Sequence, residues 1–549
     1  MIHIPLIPIL RQEFKGYNLS TLRSDTVSGL IVALVALPLA LAFSIASGVP
    51  PSSGMITAIF AGIFIGFLGG SSFQISGPTG AMAAILLPIS YVYGLEGVFV
   101  AGFLSGIFLT IAAIFKMGKI VTIIPSAVVT GFTSGIAVVI IGGQIDTIFG
   151  VHSEGLTLLE RFISYGRLGF PINYTSFLTT IILILIMFIW PKKWGKKIPG
   201  SMIVLILALL ASSVFKIPLT LVGEIPQSLL LPFRLKISSI DLTLISKILP
   251  SALSIAALGM VETLLCLVSG EVMKNEKSNV GQELYAQGIV NTLLPFLGGI
   301  PSTAAIARTS VAISNGGITR LTSIIHGVVL LFIVLFLAPL MSKVPLVALS
   351  SILVVTAIRM NDWTSIKEMF SHKSKTSIAQ FVITLSTTVV FDLTIAILLG
   401  VSFSILMFFL KSSKITYSYT PIDTKGVEGH IIDKEHSNAQ VMYISGPLFF
   451  GTRVAFEDAL AEFDTKGPLI ISLRGVPLID YSTIIALQTA ITSFKKKKVK
   501  VFLCALQPDV LELCERFNLI ETLTTKKVYT NVIEAIDALQ NMSLSSKSK

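Results

Sequence analysis

Between residues 27 and 410, apolar runs of about 20 residues recur between short polar breaks. At 1.5 Å of rise per helical residue, each run matches a hydrocarbon core roughly 30 Å thick. A soluble helical core would need polar faces at helical spacing. The run 325–340, Ile-His-Gly-Val-Val-Leu-Leu-Phe-Ile-Val-Leu-Phe-Leu-Ala-Pro-Leu, has none. Only 13% of the 549 residues are charged, mean hydropathy is +0.84, and a soluble chain carries roughly 25% charged residues. The chain is a multi-span membrane protein.

The net charge of +11 does not point to nucleic acid, because the cations gather in alternate breaks. These hold Lys116 and Lys119; Lys192, Lys193, Lys196 and Lys197; Lys274 and Lys277; Arg320; Arg359, Lys367, Lys373 and Lys375; and Lys411 and Lys414. Basic residues concentrate in cytoplasmic loops. With about fourteen segments counted, the pattern expects both termini in the cytoplasm. Residues 1–24, with Arg11, Lys15 and Arg23, read as a cytoplasmic N-terminal segment with no cleavable signal. Cys266, Cys504 and Cys514 give neither a disulfide framework nor metal-ligand spacing.

An internal echo runs through the membrane region. Phe67-Leu-Gly-Gly70 recurs as Phe296-Leu-Gly-Gly299, and Pro78-Thr79-Gly80-Ala81 matches Pro301-Ser302-Thr303-Ala304 in its small residues. An odd number of spans per half makes such an echo an inverted repeat, a plan of secondary transporters. Both copies interrupt apolar sequence with a proline, which suits the first helical turn. Non-helical backbone at membrane depth is tolerated only where protein or a cavity satisfies it. The expectation is therefore two half-helices, 78–92 and 301–315, starting near the bilayer midplane.

Facing half-helix N-termini each offer about half a positive charge and unpaired N–H donors, which together make an anion site. Arg308, two turns beyond Pro301 on this reading, adds a full charge. An intramembrane arginine is a functional candidate by default. Glu262 sits in Leu258-Gly-Met-Val-Glu-Thr-Leu-Leu265, too apolar to hold a carboxylate casually. It reads either as a site for a coupled proton or cation, or as a structural partner of Arg308 or a hydroxyl. No catalytic set emerges: His3, His152, His326, His372, His430 and His436 are scattered. There is no nucleophile motif and no Gly-x-x-x-x-Gly-Lys loop, so neither an enzyme nor a self-powered ATPase is expected, and no cofactor.

From about residue 415 polar residues rise. Val441–Ser445, Leu469–Leu473 and residues 500–503 read as strands; Ser482–Phe494, Asp509–Phe517 and Val532–Leu539 read as helices. The alternation implies a small α/β domain, over residues 439–541. It follows a linker at 413–438 and precedes a disordered tail at 542–549.

Together the residues resemble the SulP (sulphate permease) family of anion transporters. The likeness runs through Asp25-Thr-Val-Ser-Gly29, Leu37-Pro-Leu-Ala-Leu-Ala-Phe43, Val49-Pro-Pro51, Gln74-Ile-Ser-Gly-Pro78, Leu258-Gly-Met-Val-Glu262 and Ala307-Arg308. Gly446-Pro-Leu-Phe-Phe450 resembles the opening of a STAS domain. The stretch 303–326 with Phe391-Asp392-Leu-Thr-Ile-Ala396 is similar to the bacterial branch that includes a C4-dicarboxylate transporter.

The resemblance implies an all-α membrane domain, residues 25–412, of fourteen segments in two inverted sevens (about 25–215 and 248–412), split into core and gate. It implies a homodimer in the bacterial plasma membrane with a cytoplasmic STAS domain. The function implied is secondary transport of a small anion (dicarboxylate, sulphate or bicarbonate) by elevator-type alternating access, as proton or sodium symport or as exchange. A passive anion channel or a nucleobase transporter of the same fold is the alternative. Carried over by position, Thr79, Gly80, Ala305, Ile306 and Ala307 give amides, Arg308 the charge, Phe43 and Leu39 the pocket wall, and Glu262 the coupling group. Leu39 replaces a polar residue common in relatives, and Ala305 and Ala307 replace serines of prestin-like members. Tyr481 stands at the usual acceptor position of the STAS phosphorylation loop, with Ser482 beside it. That loop also reads as a helix start capped by Asp480 or Ser482.

Overall fold

A computed structural model of the chain describes residues 6–118, 125–155, 157–195, 198–236, 241–391, 393–422, 438–463 and 467–547. They form two compact units, Met1–Ser404 and Ile405–Lys549.

In the first unit, α1 (Leu6–Glu13) is short and precedes the apolar helices. Then come α2 (Leu19–Ala46), α3 (Pro51–Leu68, with a π turn over Ala61–Ile65), α4 (Gly80–Ile114) and α5 (Ser126–Phe149). The shorter α6 (Tyr174–Ile189) and α7 (Gly200–Ser213) follow, then α8 (Leu242–Lys274), α9 (Val280–Leu293) and α10 (Ile306–Ser314). The last four are α11 (Leu321–Met341), α12 (Leu346–Arg359), α13 (Lys375–Val390) and α14 (Leu393–Ser412), whose residues from Ile405 on fall in the second unit. Among the described residues, seven helices are long and apolar enough to cross a membrane. Gly94, at φ 65° and ψ −166°, breaks α4 in two, a conformation open to glycine because it has no Cβ.

The helices pack in two groups. In one, α4 lies against α8 and α9, and α2 against α3, α10 and α11; in the other, α5 packs on α13, and α12 on α6 and α7. α2 shows why the first group is interior. Its buried residues run almost without a gap from Val32 to Ser44, with no polar face to turn outward.

One polar clamp closes the first group. Asp25 Oδ1 accepts the amides of Ile318 (2.7 Å) and Thr319 (3.0 Å), while Oδ2 accepts the Thr319 hydroxyl (2.6 Å). Next to it, Arg320 Nε donates to Glu13 Oε2 at 2.7 Å, and Arg320 Nη1 donates to the Phe67 carbonyl at 2.8 Å. Arg320, read from the sequence only as a cation of a short break, forms a buried ion pair, its side chain 1% exposed. The pairing with α1 was not visible because its carboxylate lies some 300 residues away in the chain.

The second unit is a five-stranded sheet, order β3-β4-β5-β6-β7, numbered after two short strands of the first unit described below. Its strands are β3 (Thr416–Pro421), β4 (Gln440–Ser445), β5 (Leu469–Gly475), β6 (Val501–Cys504) and β7 (Val528–Tyr529). β3 and β4 are antiparallel and the rest parallel, as strand–helix alternation requires. Helices α15 (Arg453–Ala461), α16 (Tyr481–Lys496), α17 (Pro508–Arg516) and α18 (Val532–Lys547) complete it. β4, β5, β6 and the last three helices overlap the elements read from the sequence, whereas β3, β7 and α15 were not read from it. Two bounds differ. The stretch read as a linker supplies β3, an edge strand whose alternation the sequence reading missed, and α18 runs on into the stretch read as a disordered tail, to Lys547.

Two predictions follow from this packing. Arg320→Ala strands the buried Glu13 carboxylate and should cost about 3–5 kcal/mol, read as a lowered melting temperature of the purified protein. Burial pushes the Cys504 and Cys514 thiols up to about 12. Iodoacetamide at about pH 8.5, where an exposed thiol is half ionised, should therefore label neither until the domain unfolds.

Candidate anion site at crossed helix starts

The two echoed segments meet as the shortest of sheets: β1 (Ser76–Gly77) and β2 (Thr303–Ala304) pair antiparallel, Ser76 opposite Ala304 and Gly77 opposite Thr303. Beyond each strand a helix begins. Thr79 is the N-cap of α4, its hydroxyl accepting the Met82 amide at 3.4 Å; Ala305 is the N-cap of α10, without a side-chain cap. Both expected half-helices exist, but the second starts at Ile306, not at Pro301. Pairing with β1 satisfies the 303–304 backbone in extended form, so the strand displaces the first helical turn. Neither proline occupies a first turn. The structural match sets Thr79, one residue after Pro78, against Ala305, four after Pro301.

This shift changes what each residue offers. The Ala305 amide, expected to face a substrate, donates to the Ile75 carbonyl at 2.9 Å. Among the described residues no acceptor takes the amides of Gly80 and Ala81 in one helix or of Ile306 and Ala307 in the other. Ile306 and Ala307 are exposed at the open face of the crossing. Leu39 and Phe43, one turn apart on α2, are each 6% exposed. A Cβ at Gly80 would lie 3.1 Å from Phe43 Cε1 and 2.5 Å from Ile140 Cδ1, so only glycine lets that ring close over the helix start.

Arg308 lies in the first turn of α10, not two turns along it, and is 1% exposed. Its Nη2 donates to the Pro78 carbonyl at 2.8 Å, and a Cβ on Gly77 would meet Nη1 at 2.5 Å. The guanidinium therefore sits behind the crossing, against β1, and puts its charge there through buried surroundings. Nη1 has no acceptor among the described residues.

Glu262, half-buried on α8, ties the two halves together. Its Oε2 accepts the hydroxyls of Thr79 (2.8 Å) and Thr303 (2.6 Å). Of the structural partners expected for it, a hydroxyl is present, whereas Arg308 bonds elsewhere. Thr303 was not singled out from the sequence as a functional residue. Nor was Asn291, which accepts the Ser302 amide at 2.7 Å and returns Nδ2–H to the Ser302 carbonyl at 2.9 Å. An asparagine inside an apolar run was the available signal. In the soluble unit, Asp480 caps α16 through the Thr483 amide (2.9 Å) and also accepts the Phe450 amide (2.7 Å). Tyr481 is 60% exposed, and Ser482 half-buried.

A broken pair of helices crossing through a two-residue sheet, followed by a five-stranded α/β domain, fits one family over its length. The sulfate permease family matches residues 22–410. The chain belongs to it. A STAS domain matches residues 430–535, so the soluble unit is a STAS domain. The putative sulfate transporter YvdB of Bacillus subtilis (strain 168) is 34% identical over 526 residues, 93% of this chain and 96% of its own. The bicarbonate transporter BicA of Picosynechococcus sp. is 26% identical over 539 residues, 94% of each. The structure of the murine Solute Carrier 26 family member A9 anion transporter in the inward-facing state shares the fold. Its TM-score is 0.83 at 18% identity, with 97% of this chain and 94% of that one covered. The family is one of membrane transporters, not enzymes.

Thr303→Val should cost about 1–3 kcal/mol, because Glu262 loses a donor in a site poor in water. Thr79→Val should cost a similar amount, and the double variant less than the sum, in a thermal-melt double-mutant cycle.

Proposed function

We propose that the chain is a secondary transporter of a small anion, held where α4 and α10 begin. The observation that carries this reading is the pair of helix starts whose amides at Gly80, Ala81, Ile306 and Ala307 have no internal acceptor. Two such ends, each with about half a positive charge, favour an anion between them, and the buried Arg308 adds to the potential. The names of the relatives, sulfate and bicarbonate transporters, support an oxyanion of that size. Phe43 and Leu39 give the pocket an apolar wall, so charge recognition falls to backbone and Arg308.

In this reading fourteen segments form two inverted sevens. The group built on α2, α4, α8 and α9 is the core, which carries the crossing past the gate group of α5, α6, α12 and α13 as an elevator. The two packing groups support such a division. Glu262, bridging hydroxyls from both halves, is the coupling group for a proton or sodium ion: a carboxylate with two hydroxyls suits a hard cation. The protein is a homodimer in a bacterial plasma membrane, with both termini and the STAS domain in the cytoplasm. The capped start of α16 favours Tyr481 and Ser482 as parts of a helix terminus over a phosphorylation loop.

Isothermal titration of the purified protein with sulfate, bicarbonate, fumarate and succinate tests the site. Arg308→Ala should weaken the anion that binds wild type by tenfold or more, about 1.4 kcal/mol. Wild-type affinity in a folded Arg308→Ala protein overturns the assignment. In proteoliposomes, Glu262→Gln should remove the dependence of uptake on a pH or sodium gradient. Full gradient dependence in that variant overturns the coupling role.

A further inference from the structure

The two helix starts at the crossing are not equally open. Ile306, at the start of α10, is 45% exposed and Ala307 beside it is exposed, whereas Gly80 and Ala81, at the start of α4, are buried. Beyond the helix itself, the three atoms nearest to a Cβ built on Gly80 belong to two residues. Ile140 Cδ1 lies at 2.5 Å, and Phe43 Cε1 and Cζ at 3.1 and 3.6 Å. Phe43 is on α2, in the same packing group as α4, but Ile140 is on α5, in the other. The closest of these contacts on the α4 start thus comes from across the boundary between the groups.

α5 is held to its own group on other sides. Gly131 and Gly135, one turn apart, let it close on α13. A Cβ on the first would lie 2.6 Å from the Phe381 carbonyl oxygen, and on the second 2.5 Å from Thr388 Cβ. One turn past Ile140, Gln144 Oε1 accepts the hydroxyl of Ser350, on α12, at 2.9 Å. At 3.6 residues per turn, Ile140 falls on the side of α5 turned away from the two glycines. Packing against α13 therefore leaves Ile140 pointing at the start of α4, where it is 6% exposed.

A methyl group beside a helix start takes up room and supplies no donor. An anion bound to the Gly80 and Ala81 amides would meet it as a wall. Charge recognition stays with the amides and Arg308, and the limit on size falls to the apolar side. One methylene in an apolar pocket discriminates by roughly 10–200-fold.

We propose that Ile140 is a specificity-determining residue of the anion site: it closes the α4 side of the crossing from the opposite packing group and, with Phe43, limits the size of anion that fits. This rests on the anion site assigned above to the two helix starts.

Isothermal titration of the purified full-length protein with bicarbonate, sulfate, malonate, succinate and glutarate reads that limit. Relative to the anion that wild type binds best, larger members of the series should gain about tenfold in Ile140→Ala. Ile140→Val, shorter by one carbon, should move the same ratio in the same direction by less, and keeps the test open if alanine unfolds the protein. Leu183→Ala, a comparable buried truncation on α6, should leave the ratio unchanged. An unchanged ratio in both Ile140 variants overturns the proposal, and so does equal weakening of every anion, which is the mark of packing alone. A wild type that binds glutarate best overturns it too. If wild type binds none of these anions, the site at the helix starts and the role of Ile140 fall together. If Arg308→Ala weakens binding while the Ile140 ratio stays put, only the role of Ile140 falls.

Discussion

Backbone polar groups cannot be left bare in hydrocarbon, and the membrane unit is organised around a place where two of its helices stop short. At Ser76–Gly77 and Thr303–Ala304 the chain is extended, and each broken segment supplies the hydrogen-bond partner the other lacks. Two residues of sheet are enough because Arg308, Thr309 and Asn291 take up neighbouring backbone groups, while Glu262 joins the hydroxyls of Thr79 and Thr303. Thr309 Oγ1 accepts the Ile75 amide at 3.0 Å; Arg308 takes the Pro78 carbonyl; Asn291 holds both backbone groups of Ser302. The amides left over are those at the helix starts, on the open face. Stability behind the crossing and vacant donors in front of it come from the same arrangement.

Much of this was legible in the sequence. Long apolar runs announced the spans, and strand–helix alternation after residue 415 announced an α/β domain. The broken segments were visible because Gly-Pro and Ser-Thr stretches stand out where uninterrupted hydrophobic residues are expected. Arg308 and Glu262 stood out for the same reason.

The misses share a cause. Proline at 301 carries a local helix-start signal, but the decisive contact is with Ser76 and Gly77, more than 200 residues away. Local propensity cannot anticipate a strand whose partner is so distant. The role of Arg320 was hidden likewise: a cation in a short break shows no partner until Glu13 folds back on it. Thr303 was hidden because a threonine is unremarkable anywhere; only the Glu262 carboxylate at 2.6 Å gives it a role.

The contribution of Thr416–Pro421 to the STAS sheet bears on how that domain behaves when separated from the membrane. β3 covers one side of β4, and β4 is a run of Val441, Met442, Tyr443 and Ile444. A fragment cut at residue 439 would bare that side as an unpaired, apolar strand edge, the geometry by which sheets recruit a neighbour and aggregate. A fragment beginning ahead of Thr416 keeps its edge strand, with Thr416, Tyr417 and Thr420 exposed and Tyr419 packed on the domain core. Where the domain ends and the connection begins thus decides whether the excised piece is a soluble monomer or a seed for strand exchange.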